Sequence, residues 1–228
     1  MLMQKGFAKE AGEHAVIWID PARVTHHASS KWPVTNHRIA RAQTLLPKFV
    51  VNMLRPTLRK YEPLLTPRKL FDVSGPIKEA PKFQRVADFV AHKETPEKSI
   101  WYQNLAAQLA KTGIAKHKDI EMRSSSEIDT FFETYVEPLI KDLAKNGYVP
   151  DHTGFESTAV IAQDGTLIKS GSGNHRFYIC KILGIRRFPL RIVGMHEDYF
   201  KAHARTETIT ADAVIDLLGP VEARHRAQ

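Results

Sequence analysis

The sequence predicts an α+β fold, in which a small mixed sheet is joined to a largely helical N-terminal and middle region. Three observations carry this expectation. Thr158 to Ala162 and Thr166 to Lys169 read as two short strands around a Gln163-Asp164-Gly165 hairpin turn. Phe177 to Leu183 then has helical spacing, Gly184 suits its C-terminal cap, and Phe188 to Val193 reads as a further strand. Two stretches in the middle of the chain, Ser99 to Gly113 and Glu127 to Asn146, repeat apolar side chains at intervals of three and four, the spacing of one buried helical face.

Residues 1–14 read as a frayed start, and His14 to Asp20 as a strand, after which Pro21 stops it or opens a helical turn. Asp20, at the strand's end, either forms the turn or faces a site. Val24 to Thr35 is polar and reads as loop. Its adjacent His26-His27 pair makes a poor metal site, because neighbouring side chains on an extended chain point apart. Arg38 to Leu46 reads as a short helix. Lys48 to Tyr61 interleaves Lys48, Arg55, Arg59 and Lys60 with Phe49, Val51, Met53, Leu54 and Leu58, and Pro56 interrupts it. Prolines 63, 67, 76 and 81 with Gly75 mark a connection. Ser99 is positioned to cap the first middle helix and Gly113 to end it. Lys116 to Asp119 reads as a solvated loop, Ser124 to Ser126 as caps of the second helix, and Pro138 as its kink or restart. Thr210 to Leu218 reads as a closing helix stopped by Gly219-Pro220, with a mobile tail beyond it. The organisation expected is a basic region with one strand at 1–80, a helical region at 81–147, a core at 148–200, and a C-terminal helix and tail at 201–228, together one compact unit.

Composition narrows the function classes. A single cysteine, Cys180, excludes an internal disulfide framework, and its place in an apolar helix marks it as a buried structural thiol. The start lacks the apolar core of a signal peptide and no apolar run is long enough to span a bilayer, so a cytoplasmic protein is expected. Residues 1–70 hold 12 Lys/Arg against 4 Asp/Glu, while residues 71–228 hold 21 of each, so the whole net charge of +8 is N-terminal. Lys48, Arg55, Arg59 and Lys60 thus offer nucleic acid or another anionic surface a landing point, or form a solvated face.

The stretch that carries chemistry is Ser170-Gly171-Ser172-Gly173-Asn174-His175-Arg176. A glycine loop opening a helix presents unpaired backbone N–H groups and partial positive charge, which suits a nucleotide phosphate, and Arg176 adds a bidentate donor. A glycine-serine run also serves as a plain flexible turn.

Gly173-Asn174-His175-Arg176, Leu183-Gly184 and Phe188 to Val193 resemble the G-x-H-R, L-G, I-P-V core of the ParB/sulfiredoxin-like superfamily, over about residues 145–200. The resemblance implies nucleotide phosphates at the G-x-H-R loop. Members include CTP-binding partition proteins, ATP-dependent sulfiredoxins and ParB-like kinases of free serine. Ser172 stands where many members carry an acidic residue, so the resemblance assigns no metal or catalytic role there. Asn174 stands where sulfiredoxins place their reactive cysteine, which separates this chain from reductase chemistry.

The function expected is an ATP- or ADP-dependent phosphotransferase with Mg²⁺, acting on a small hydroxylated metabolite or sugar. Ser170 to Arg176 would bind phosphate, with Arg176, His175, Glu156 and His196 as catalytic candidates and Asp20 and Glu197 as further carboxylates at strand edges. The alternative is a CTP-binding, DNA-associated ParB-type module. Against it, no helix-turn-helix with a basic recognition helix follows the core. No clustered carboxylate motif supports a two-metal nuclease.

Overall fold

The computed structural model describes residues 1–149 and 157–227. In chain order the elements are helix α1 (Gln4–Ala11), strands β1 (Val16–Ile19) and β2 (His26–His27), helices α2 (Pro33–Ala42) and α3 (Lys48–Arg59), and strands β3 (Leu65–Thr66) and β4 (Gly75–Pro76). Next come α4 (Pro81–Ala91), α5 (Ile100–Thr112), β5 (Ala115–His117), β6 (Ile120–Met122), α6 (Ser125–Phe131) and α7 (Glu137–Asn146). The last are β7 (Thr158–Ile161), β8 (Leu167–Lys169), α8 (Asn174–Ile182), β9 (Phe188–His196), α9 (Glu197–His203) and α10 (Ala211–His225). The α+β class is as expected. No helix of the described residues is long and apolar enough to cross a membrane.

The described residues fall into two units. The first holds residues 1–77, 157–173 and 186–227, and the second holds 78–149 and 174–185.

The first unit contains a mixed sheet of seven strands in the order β1-β9-β7-β8-β2-β4, with β3 paired to the far end of β9. β7 runs parallel to β9 and antiparallel to β8, which fits a hairpin followed by a crossover. The hairpin forms for the reasons its sequence suggests: Gly165 sits at φ +80° and the Asp164 carboxylate accepts from the Thr166 backbone N–H at 2.9 Å. β9 buries Phe188, Leu190 and Ile192 in alternation, then shifts register against β7 so that Gly194 faces Val160. A side chain at Gly194 would come within 3.1 Å of the Val160 methyl, so glycine allows the close approach.

Where the basic region was expected to hold one strand, it holds four. The His26-His27 stretch read as loop is β2, because it pairs in parallel with β8 and antiparallel with β4. The start read as frayed forms α1, held by the buried Phe7 and Ala11. Pro56 does not interrupt α3, which runs through it. Glu62 is fully buried and its carboxylate accepts from the Val34 and Thr35 N–H groups at 3.0 and 2.7 Å, so it serves as the cap of α2 that Trp32 cannot supply.

α10 also departs from expectation. Gly219-Pro220 does not stop it, and residues 221–225 continue the helix with Val221 and His225 buried. Its last carbonyls are satisfied from outside the helix: His225 O accepts from the Asp20 N–H at 2.8 Å and Arg224 O from Arg23 at 3.0 Å. The His225 ring is a fixed neutral tautomer, since Nδ1 donates to Val221 O at 2.7 Å while Nε2 accepts from the Leu167 N–H at 3.3 Å.

The second unit is mainly helical. The Ser99 hydroxyl caps α5 by accepting from the Tyr102 N–H at 3.2 Å, and Gly113 ends it at φ +73°. Ser124 caps α6 in the same manner through the Glu127 N–H. Between α6 and α7 lies one π-helical stretch, Phe132–Val136, and Pro138 stands in the first turn of α7. The restart expected at Pro138 takes this form because a wider turn absorbs the amide that proline lacks. Of Lys116 to Asp119, read as a solvated loop, Lys116 and the buried His117 belong to β5, and only Lys118-Asp119 form the turn of the β5–β6 hairpin.

Candidate functional site

In the first unit, β8 ends at Lys169 and Ser170 to Gly173 follow as loop. Lys169 lies opposite Ala159 and two residues from Leu167, so its side chain points into the same buried layer as theirs, and it is 1% exposed. Its Nζ donates to Ser170 O at 2.5 Å and also to Ser172 O. A buried amine therefore gathers the loop's carbonyls from beneath.

The loop is fixed on its other sides as well. The Ser170 N–H donates to Thr158 O at 2.9 Å, and the two residues' hydroxyls share a 2.6 Å hydrogen bond. The Ser157 hydroxyl donates to Gly173 O at 2.6 Å. Gly173 sits at φ +66°, where a Cβ would meet the Ser157 hydroxyl oxygen at 2.3 Å and its Cα at 2.6 Å, so only glycine fits. Gly171 has open space around it.

With the Ser170, Ser172 and Gly173 carbonyls taken, the loop retains donors. Among the described residues the backbone N–H groups of Gly171, Ser172 and Gly173 have no hydrogen-bond partner. Lys31 donates from Nζ to the Ser172 hydroxyl at 3.1 Å, and its ammonium is held below its ordinary pKa by burial and by the charge of Arg59. Consecutive free amides beside cationic side chains form a concavity suited to an anion.

Lys169, Lys31, Ser157 and Thr158 were not singled out from the sequence. Lys169 reads only as the last residue of a strand, and Lys31 lies far away in the chain. The only available signal was the lysine at a strand terminus next to a glycine loop.

In the second unit, α8 begins with Asn174, His175 and Arg176, and buries Phe177, Tyr178, Ile179 and Cys180. The His175 imidazole joins an aromatic cluster, stacked on Trp101 at 5.3 Å and tilted on His117 at 5.4 Å. Phe89, Phe131, Phe132 and Tyr135 extend the cluster, with Phe89 and Phe132 stacked at 4.8 Å. Burial, then the charges of neighbouring groups, pushes both His117 and His175 down to about 4. At neutral pH His175 is therefore an uncharged ring within a stack, which supplies no cationic grip. Burial pushes the Cys180 thiol up to about 12, in keeping with a structural thiol.

The depressed histidines link the second unit to pH. Unfolded, each binds a proton near its ordinary value of 6.5, whereas folded it does so only near 4. Stability is then undiminished above pH 6.5 and falls as pH drops from 6.5 towards 4. Denaturant titrations between pH 5 and 7, above most carboxylate titration, should show this loss, and a His117→Phe/His175→Phe variant should show a flatter profile. An unchanged profile in that variant would rule the linkage out.

The remaining site residues are placed apart. His196, expected to adjoin the glycine loop, lies at the opposite end of the sheet, because β7 is parallel to β9: Met195 pairs with Ile161, whereas the loop leaves β8 beside Thr158. Four strand positions separate the two levels, roughly 13 Å at the rise of an extended chain. His196 is buried against Phe71, and its Nδ1 accepts from the Asp198 N–H at 3.1 Å as the cap of α9. Glu197 accepts from the Arg68 N–H at 2.9 Å and from Lys201 at 3.1 Å, and these bonds hold its carboxyl below the usual range. Asp20 accepts from the Ala22 N–H at 2.8 Å, the turn-forming role. Glu156 lies outside the described residues.

Among the described residues no group of three or more His, Cys, Asp or Glu side chains is placed to hold a metal ion. Mg²⁺ that bridges phosphates needs only one or two protein carboxylates, so this donor set bears on all-protein cages alone. Compared with protein-family models, with curated proteins and with solved structures, the chain matches none.

Proposed function

We propose that this chain is a ParB-like nucleotide-binding protein that acts as an ATP- or ADP-dependent phosphotransferase on a small hydroxylated metabolite or sugar. The observation that supports it most is the loop after β8, where Gly171, Ser172 and Gly173 offer three amides unpaired among the described residues, beside Lys31, while Lys169 occupies the Ser170 and Ser172 carbonyls. Such donors suit phosphate oxygens, which carry negative charge and accept several hydrogen bonds each. The sequence pattern that places Gly-x-His-Arg at this loop gives the second support. Arg176, three residues further along the chain, is the side chain that the motif offers to offset charge on the transferred phosphoryl group. Mg²⁺ would bridge the phosphates.

The acceptor hydroxyl needs a carboxylate to orient it and take its proton. Asp20 and Glu197 are engaged as helix and turn caps, which leaves Glu156 as the notable candidate from the sequence.

A thermal-denaturation series with ATP, ADP, CTP or GTP, each with Mg²⁺, tests the reading. A ligand at a hundredfold its Kd stabilises the folded protein by about 2.7 kcal/mol. ATP or ADP is expected to raise the melting temperature, and Lys31→Ala or Arg176→Ala to remove that rise. A rise with CTP alone would favour the switch-like alternative, and none with any nucleotide would end the proposal.

A further inference from the structure

Between Pro21 and Tyr61 the chain carries eight Lys/Arg and no Asp or Glu. Within that segment lie α2 and α3, antiparallel neighbours joined by the Thr35 hydroxyl donating to Leu58 O at 3.2 Å. The buried side of α3 is marked by Val51. On its opposite side, Phe49 is 68% exposed and Met53 76%, and Leu45, just before the helix, is 81% exposed. Phe49 and Met53 are spaced at four on α3, so they form one ridge, and Leu45 stands in the turn that leads into the helix. Leu46 and Leu54 widen it, at 44% and 46%. Arg41 on α2, and Lys48 and Lys60 at the two ends of α3, are exposed, and Arg59 lies over the Trp32 ring at 4.0 Å.

We propose that the α2–α3 pair is a docking surface for an anionic lipid bilayer, with the Phe49-Met53 ridge and the exposed Leu45 entering the headgroup boundary and the lysines and arginines of the pair meeting lipid phosphates. Apolar side chains in a line with cations about them suit an interface that is oily in depth and negative at its surface. Charge decides against a second copy of this chain as the occupant: an isologous contact would bring two acid-free, cationic faces together. The ridge decides against nucleic acid, whose phosphate backbone rewards the cations and gives Leu45 and Met53 nothing to bury against. This inference does not depend on the nucleotide reading.

Co-sedimentation of the full chain tests it, using vesicles of roughly one part phosphatidylglycerol to two of phosphatidylcholine against pure phosphatidylcholine. The protein is expected to partition about tenfold more strongly onto the anionic vesicles, and to be released as salt rises from about 0.1 M to 0.5 M and the screening length shortens. Phe49→Glu/Met53→Glu, which changes two exposed side chains and should leave the melting temperature unaltered, is expected to lower that partition about tenfold. Lys48→Glu/Lys60→Glu should do the same without touching the ridge. Equal binding to neutral vesicles, or binding to neither, overturns the proposal. So does a dimer that Phe49→Glu/Met53→Glu disperses while vesicle binding is absent, or retention on duplex DNA in place of vesicles.

Discussion

Lys169→Met is expected to destabilise the first unit by about 3–5 kcal/mol, because the buried Ser170 carbonyl and the half-buried Ser172 carbonyl would lose an amine donor that an isosteric thioether cannot replace. Methionine fills a similar volume, so the loss reports the amine's polar partners, Ser170 O and Ser172 O among them, rather than a cavity. With those carbonyls released, the loop also loses the form in which its amides face a ligand, and any nucleotide-dependent rise in melting temperature should vanish. Lys169→Arg should be destabilising too, since a planar fork cannot take the place of a compact amine with nearly no exposure. Urea titration is the measurement. A Lys169→Met protein within about 1 kcal/mol of the parent would show that the amine does not hold the loop.

Gly173→Ala should be nearly as damaging. The left-handed backbone costs an alanine about 1 kcal/mol, and the new methyl would collide with Ser157, whose backbone cannot retreat because its carbonyl accepts from the Arg191 N–H at 2.9 Å. Together these predict a loss of about 3 kcal/mol or more. Gly171→Ala supplies the control: that glycine is not at positive φ and its Cβ would meet nothing within 4 Å, so its stability should stay within about 1 kcal/mol of the parent. If both substitutions cost the same, the special geometry at Gly173 is refuted.

These two residues also show where sequence reading succeeds and where it stops. Gly173 was legible, because a glycine before a helical run announces itself through backbone chemistry that acts locally. The same holds for the Asp164-Gly165 turn, the Ser99 and Gly113 caps and the apolar face of α5, all set within a few residues. Lys169 was illegible, because a lysine on a strand is buried only when distant segments close over it. β2 was hidden for the same reason. Two histidines have no strand signature of their own, and they become one by pairing with β8 and β4. In α10 the tertiary partners Asp20 and Arg23 extend a helix past a Gly-Pro pair that would end it in isolation. His175 shows a further limit: the motif placed it in the first turn of α8, whereas its ring orientation follows from Trp101 and His117.

The position of β9 governs how the chain can acquire its shape. This strand pairs with β1 from the start of the chain, with β3, and with β7 a short distance before it. Its contacts with β1 join segments at opposite ends of the sequence, and closing so long a loop is entropically slow. During synthesis, α4 to α7 leave the ribosome with every helical partner except α8 already present, whereas β1 waits unpaired until β9 emerges. β9 thus sets the order of assembly, with the sheet last.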